Sequence, residues 1–306
     1  SKMKRSLRIL LSVLSGVLLS LAWLGFPGWL LFVAFLPLLY LDYYFVQHKS
    51  EYRSVVIWGH AFLAFFIWNI ATTWWIMHAT LAGAVMAIVT NSFLMSLTYW
   101  LAHIARRNYK SSLGYVALVV FWISFEYFHF HWDIEWPWLT LGNGFANNVK
   151  LIQWYEYTGY LGGSLWVLVM NIVLFHIVRN WLEKRSIRKS IYPVSVFILL
   201  LVVPIVLSFQ RYNSYVETES PKNIVIVQPN IDPYSESYDA EAENKKLKIF
   251  VGLAASKTDS ETDFIIGPET LFENPWFWKE NDLKNNTQLE ELSDFLGNYP
   301  KTELVL

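Results

Sequence analysis

Of the residues in this chain that could do chemistry, Glu269 has the most suggestive setting. It follows the apolar run Asp263-Phe264-Ile265-Ile266-Gly267 and is held by Pro268, so its carboxylate would emerge from the C-terminal end of a buried strand. In α/β sheets, ligands and catalytic groups gather at that end. A partly buried carboxylate there can be raised toward neutrality and serve as a general base. An ordinary strand-end carboxylate is the competing reading.

Three other places invite the same question. His129, His131, Asp133 and Glu135 are metal-ligand types at a spacing of two. On one strand they would share a face and suit zinc or iron. On a helix they would not face each other, and the segment falls where a span leaves the membrane, so an interface loop is the expectation and no metal is assigned. Glu126 is an ionisable group in an apolar span, by default a suspected functional residue; its place near the span's outer end favours helix packing or loop anchoring. Trp132, Trp136 and Trp138 fit an interfacial aromatic belt, and Gly159 with Gly163 would permit close helix approach. There is no glycine-rich phosphate cradle, and no cofactor is implied.

The elements that must position these groups follow from composition. Hydrophobic residues make up 54% of the 306 and aromatics 18%, against about 45–50% apolar in an ordinary soluble domain. The excess is confined to residues 1–210. A bilayer core takes about 20 apolar residues per helix, which places spans near 7–24, 27–46, 55–77, 82–105, 113–130, 160–178 and 191–209. The first span has no small-residue cleavage site after it and reads as an anchor, not a removed signal. Fifteen Lys/Arg precede position 211; they lie at the N-terminus, Lys49 and Arg53, Arg106 to Lys110, and Arg179 to Lys189, with Lys150 alone in an opposite loop. The positive-inside rule then puts the N-terminus in the cytoplasm and residue 211 outside.

Residues 211–306 carry 9 Lys/Arg against 18 Asp/Glu. Such an acidic segment argues against nucleic acid and against electrostatic docking on anionic lipid. There are no cysteines, so there are no disulfides. After a polar linker at 213–221, strands are expected at 223–228, 263–267 and 302–306. Helices are expected at 240–257 (Leu247, Phe250, Val251, Ala254) and 284–297 (Leu289, Leu292, Phe295, Leu296), the second capped by Gly297. Strand, helix, strand, helix, strand is an α/β order. About 85 residues ending in a strand reads as an unfinished domain of that class.

Taken together these segments resemble apolipoprotein N-acyltransferase, the bacterial family that N-acylates the lipid-bearing cysteine of lipoproteins. The likeness is carried by Gly25-Phe26-Pro27-Gly28, by Thr73-Trp74-Trp75, and by Pro137-Trp138-Leu139 with Leu141-Gly142. It continues through Glu156, Thr158, Gly159, Gly162-Gly163-Ser164 and Asn171, then Ile224 to Gln228 with Asn230-Ile231, and Ile265-Ile266-Gly267-Pro268-Glu269-Thr270. The resemblance implies a polytopic α-helical membrane domain over 1–211 and the first part of a nitrilase-like α-β-β-α sandwich domain over 222–306. It implies acyl transfer from a phospholipid to the α-amino group of a diacylglyceryl apolipoprotein through a cysteine thioester, with Glu269 as general base. Pro137, Trp138, Asn230 and Tyr238 become substrate-binding candidates. The implied site of action is the bacterial inner membrane, with the nitrilase-like domain on the periplasmic side.

The chain departs from that family in three ways. Gly267 stands where the family commonly has Trp. A family tryptophan in the arm after the first strand has a counterpart here only if Tyr238 takes its place. The family's lysine, cysteine and eighth span lie beyond residue 306, so the chain alone is expected to be inactive. A transporter or receptor-like protein with a small outer binding module is a second reading, disfavoured because spans apart from Glu126 carry almost no charge; a membrane-tethered nitrilase-superfamily amidase is a third. The topology is directly testable: alkaline phosphatase fused after Glu217 is expected to be active, and fused after Arg53 or Arg107 inactive. The reverse pattern would invert the assignment.

Overall fold

The computed structural model describes residues 2–109, 111–183, 187–231, 240–268, 271 and 287–306. The chain divides into two compact units, Ser1–Tyr215 and Val216–Leu306.

The first unit is helical: α1 (Arg5–Leu21), α2 (Leu31–Ala34), α3 (Leu36–Gln47), α4 (Val55–Thr73), α5 (Leu81–Asn108), α6 (Ser111–Phe128), α7 (Tyr155–Leu182) and α8 (Ile187–Ser214). Among the described residues six helical segments are long and apolar enough to cross a membrane: Arg5–Leu24, Gly28–Gln47, Val55–His78, Leu81–Asn108, Tyr155–Leu182 and Ile191–Ser214. The fifth of the seven expected spans, at 113–130, is a shorter apolar helix, Leu113–Phe128. It stops where His129 to Glu135 bring polar side chains and Pro137 follows, and the chain then folds into 3₁₀ turns at Pro137–Leu139 and Leu141–Leu151. The last helix runs to Ser214, past the expected end at 209, so the polar linker starts later than its composition suggests.

Small residues let these helices touch. Ser12, Ser15, Gly16 and Ser20 form the buried face of α1, and a Cβ on Gly16 would meet the Ala64 carbonyl of α4 at 2.5 Å. Close backbone approach of this kind is how helices associate where lipid removes the hydrophobic driving force. The core is aromatic: Trp122 lies 5.3 Å from both Phe35 and Phe65, and Phe65 packs on Tyr99.

The break between α2 and α3 at Phe35, beside Pro37, exposes backbone groups that water cannot reach in a bilayer. Asn171 of α7 takes them up. Its Oδ1 accepts the Phe35 N–H at 2.9 Å, and its Nδ2 donates to the Leu31 and Val167 carbonyls at 2.7 and 2.8 Å.

The spans also hold more charge than the sequence reading allowed. Asp42 of α3 is buried and pairs with both Arg106 and His103 of α5. Arg106 also donates to the Tyr115 hydroxyl at 3.2 Å and lies 4.3 Å from its ring. Positions 42 and 106 are far apart in the chain and sit near span ends, so neither announces a partner.

The second unit is a three-stranded parallel sheet, β1 (Ile224–Ile226), β2 (Phe264–Ile266) and β3 (Glu303–Val305), in that spatial order. The helices α9 (Ala240–Ala255) and α10 (Thr287–Gly297) connect the strands. Val227, Leu247, Phe250, Ala254, Ile265, Leu271, Leu292 and Phe295 form its core, which uses the residues whose helical spacing marked them. Gly297 ends α10 as its last residue and does not take the left-handed conformation of a glycine cap. The strands are locked at their N-terminal edge by Asp263, which accepts the Asn223 N–H at 2.9 Å and the Lys222 ammonium at 3.0 Å. These donors hold its carboxyl below the usual value.

Asp42→Leu alone is expected to strand Arg106 in hydrocarbon and to lower stability by about 3–5 kcal/mol, while Asp42→Leu with Arg106→Leu recovers most of the loss. Thermal unfolding in detergent reads both variants. Equal losses in single and double variants would show that the pair does not tie α3 to α5.

Candidate functional site

In the second unit, parallel pairing brings the C-terminal ends of β1 and β2 to one edge of the sheet. Pro268 leaves β2 there, after the Gly267 N–H has bonded the Val305 carbonyl at 2.9 Å. Asn230 follows β1 at the same edge, exposed and with φ of 55°, a conformation that Asn tolerates better than most residues. Glu269, Thr270 and Tyr238 lie outside the described residues. On the far side of Glu269, Leu271 is buried in the core. Gly267 is tightly enclosed: a Cβ there would meet Leu306 at 2.6 Å and Phe250 at 3.0 Å. The space beside Gly267 is taken by the buried Phe250 ring and by the half-exposed Leu306 side chain.

In the first unit the sequence candidates converge at the end of the bundle where α4 gives way to α5 and α6 to α7. Trp138 is 54% exposed there, on the 3₁₀ turn opened by Pro137. Its ring lies 5.6 Å from Trp75, edge to face, and 6.5 Å from Trp136. Its carbonyl accepts the Trp23 indole N–H at 2.9 Å. Phe26, Trp29 and Trp74 are also about half exposed. An amphipathic ring of this kind suits the lipid–water interface.

Beneath the turn lies Glu126, which is 3% exposed and does not reach water. Its Oε1 accepts the Trp122 indole N–H and the Leu141 backbone N–H, each at 2.9 Å. Ser164 of α7 takes the Gly142 N–H at 2.9 Å. Tyr155 donates to the Gly142 carbonyl at 3.0 Å. The glycine pair expected to mediate helix approach divides its work differently. Gly163 packs against Tyr155 and Gly142, whereas Gly159 has no neighbour within 4 Å of a Cβ and adopts φ of 64°, kinking the start of α7.

His129 belongs to a chain of hydrogen bonds that the sequence did not reveal. Trp132 Nε1–H donates to His129 Nδ1 at 3.1 Å, which leaves the proton on Nε2 to donate to Asn91 at 2.7 Å. Asn91 donates to Asn69 at 2.7 Å, and Asn69 to the Phe65 carbonyl at 2.8 Å. His131 bonds its own helix at Tyr127 instead, so the two histidines diverge. Among the described residues no three His, Asp or Glu side chains come together as a metal site. Asn69 and Asn91 could have been singled out as amides inside apolar runs, although nothing in their spacing links them to position 129.

Comparison with known proteins points one way. The family model for the apolipoprotein N-acyltransferase N-terminal domain matches residues 15–173. The chain is 27% identical to an apolipoprotein N-acyltransferase of Chlorobaculum tepidum over 272 residues, covering 85% of this chain and 48% of that protein. It is 26% identical to one from Geobacter metallireducens, covering 85% and 50%. With apolipoprotein N-acyltransferase 1 of Treponema denticola it shares 23% identity, covering 96% and 55%. The chain spans about half the length of the curated relatives it matches.

Gly163→Ala is expected to push the Tyr155 hydroxyl off Gly142 and to cost about 1–3 kcal/mol. Gly59→Ala, where a Cβ meets nothing within 4 Å, serves as the neutral control. Thermal unfolding of the detergent-solubilised protein compares them, and equal melting temperatures would refute the packing role given to Gly163.

Proposed function

Because the chain belongs to the apolipoprotein N-acyltransferase family, whose N-terminal domain spans residues 15–173, we propose that the complete protein moves an acyl chain from a phospholipid to the α-amino group of a diacylglyceryl-cysteine apolipoprotein. The observation that carries this reading is the reach of the likeness. It covers 85% of the chain in two relatives, more than the helical unit alone can account for. The second unit is then the opening part of a nitrilase-like domain, on the periplasmic side of a bacterial inner membrane.

The chemistry runs in two half-reactions. A thiolate attacks the phospholipid ester, the lysophospholipid alkoxide leaves and takes a proton, and a thioester remains. The apolipoprotein amine then attacks the thioester, the amide forms and the thiol is released. Glu269 is the base that accepts the thiol proton in the first half and the amine proton in the second. The 306 residues contain no cysteine, so they do not themselves supply the nucleophile. No cofactor is needed for either step. Trp138 and Pro137 supply an aromatic ledge for the phospholipid, while Asn230 and Tyr238 follow the first strand of the domain that carries the base.

The transporter reading has one observation in its favour, the buried Asp42–His103–Arg106 cluster. That cluster is closed off by Tyr115 and faces no pathway among the described residues. In the complete product of the gene, incubation with phospholipid is expected to leave an acyl group in hydroxylamine-labile linkage. Glu269→Gln should slow its appearance about 10²–10⁴-fold. Undiminished acylation would remove Glu269 from the role of base, and no acylation of the unmodified protein would reject the reaction.

A further inference from the structure

Glu126 has no part in the reaction just described, yet it is one of several side chains that anchor the turn bearing Trp138. Residues 137–142 form one 3₁₀ turn, an extended Thr140, and the start of a second 3₁₀ segment. The first N–H groups of a helical segment have no partner inside it. Leu141 opens the second segment, and its N–H is buried where no water can serve it. The acceptor it has is Glu126 Oε1, at 2.9 Å. The same oxygen is fixed from the other side by the Trp122 indole. The remaining anchors of the loop lie on either side of this one: Trp23 on the Trp138 carbonyl, Ser164 on the Gly142 N–H, and Tyr155 on the Gly142 carbonyl.

Trp138 itself is half exposed and rests on other exposed rings, not in the core. Its position is therefore dictated by its backbone, and Leu141, three residues on, is the nearest point at which a buried side chain of another element holds that backbone's N–H. We infer that Glu126 is a positioning residue for Trp138: acting through the Leu141 N–H, it sets where the aromatic ledge stands and so governs phospholipid binding. Glu126 is not a catalytic residue, because its carboxyl is buried and both of its hydrogen bonds point to this chain. The binding consequence rests on the reading of Trp138 as a phospholipid contact; the positioning does not.

Three substitutions separate the two. Glu126→Leu removes the acceptor. Glu126→Asp keeps the charge but withdraws the oxygens by one methylene, and serves where the leucine variant fails to fold. Glu126→Gln keeps an oxygen that can accept from both Leu141 and Trp122. In the chain labelled with 5-fluorotryptophan, with the Trp138 ¹⁹F resonance assigned through Trp138→Phe, the leucine and aspartate variants are expected to shift that resonance well below their melting temperatures. Glu126→Gln should leave it in place. In the complete gene product, with phosphatidylethanolamine micelles as donor, KM should rise at least 10-fold for Glu126→Leu and several-fold for Glu126→Asp. It should change less than about 3-fold for Glu126→Gln, with kcat within 3-fold throughout. An unmoved Trp138 resonance in Glu126→Asp overturns the positioning role, as does a glutamine variant as impaired as leucine. A shifted resonance with KM unchanged, in these variants and in Trp138→Ala alike, leaves the positioning intact and overturns the ledge as the phospholipid contact.

Discussion

A backbone that leaves helical geometry inside a bilayer must find its hydrogen-bond partners within the protein, because each unsatisfied group costs several kcal/mol and no water is there to help. This chain breaks its helices at two places that matter, near Phe35 and between Phe128 and Tyr155. At each break polar side chains of the packed helices serve the freed groups: Asn171 and Ser15 at the first, Glu126, Ser164 and Tyr155 at the second. Much of the packing of the membrane unit serves to deliver those side chains. Gly16 lets α1 close on α4, Gly163 lets α7 close on Gly142, and Trp122 presents Glu126 while filling the core between Phe35 and Phe65.

What was legible in the sequence divides along the same line. Apolar runs of about 20 residues mark spans because length is a direct consequence of bilayer thickness. The small sheet was legible because β-branched runs and three-and-four spacing are local signals, and Val225, Ile265, Leu247 and Phe250 lie where those signals put them. The partners of polar groups were not legible. Asp42 meets residues 61 and 64 positions away, and Asn171 reaches back 136 to Phe35. A spacing rule also misled where two glycines four apart looked equivalent. Gly163 is needed for close approach and Gly159 for its φ of 64°, a difference of backbone conformation that the letters do not carry. The fifth apolar run ends at Phe128, two residues before its expected end, and hydropathy did not register that His129, just beyond, is turned inward to Asn91.

Polar chains inside the unit also bear on rigidity. Trp132, His129, Asn91 and Asn69 form a directed series that ends on the Phe65 carbonyl, with the Met95 sulfur beside both amides. A neutral imidazole is required throughout, since His129 Nδ1 must accept from Trp132. Such a fully satisfied network fixes side-chain orientation more sharply than apolar packing does. It ties α4 and α5 to the end of α6, close in sequence to the turn that bears Trp138. The exposed rings of the rim thus stand over a turn whose backbone is held at Trp138, Leu141 and Gly142 by side chains of other elements.

The second unit places a different constraint on its candidate base. Glu269 is flanked by Pro268, which limits the backbone before it, and by Leu271, whose side chain is committed to the core two residues later. Gly267 is pinned to Val305 by its N–H and enclosed by Leu306 and Phe250. Gly267 and the buried Leu271 thus flank Glu269 in the sequence. A larger side chain at 267 would have to move the Leu306 side chain or the Phe250 ring of α9. At the C-terminal end of β2 the apolar surroundings of Gly267 are thus supplied by Phe250 of α9 and by Leu306, the residue after β3.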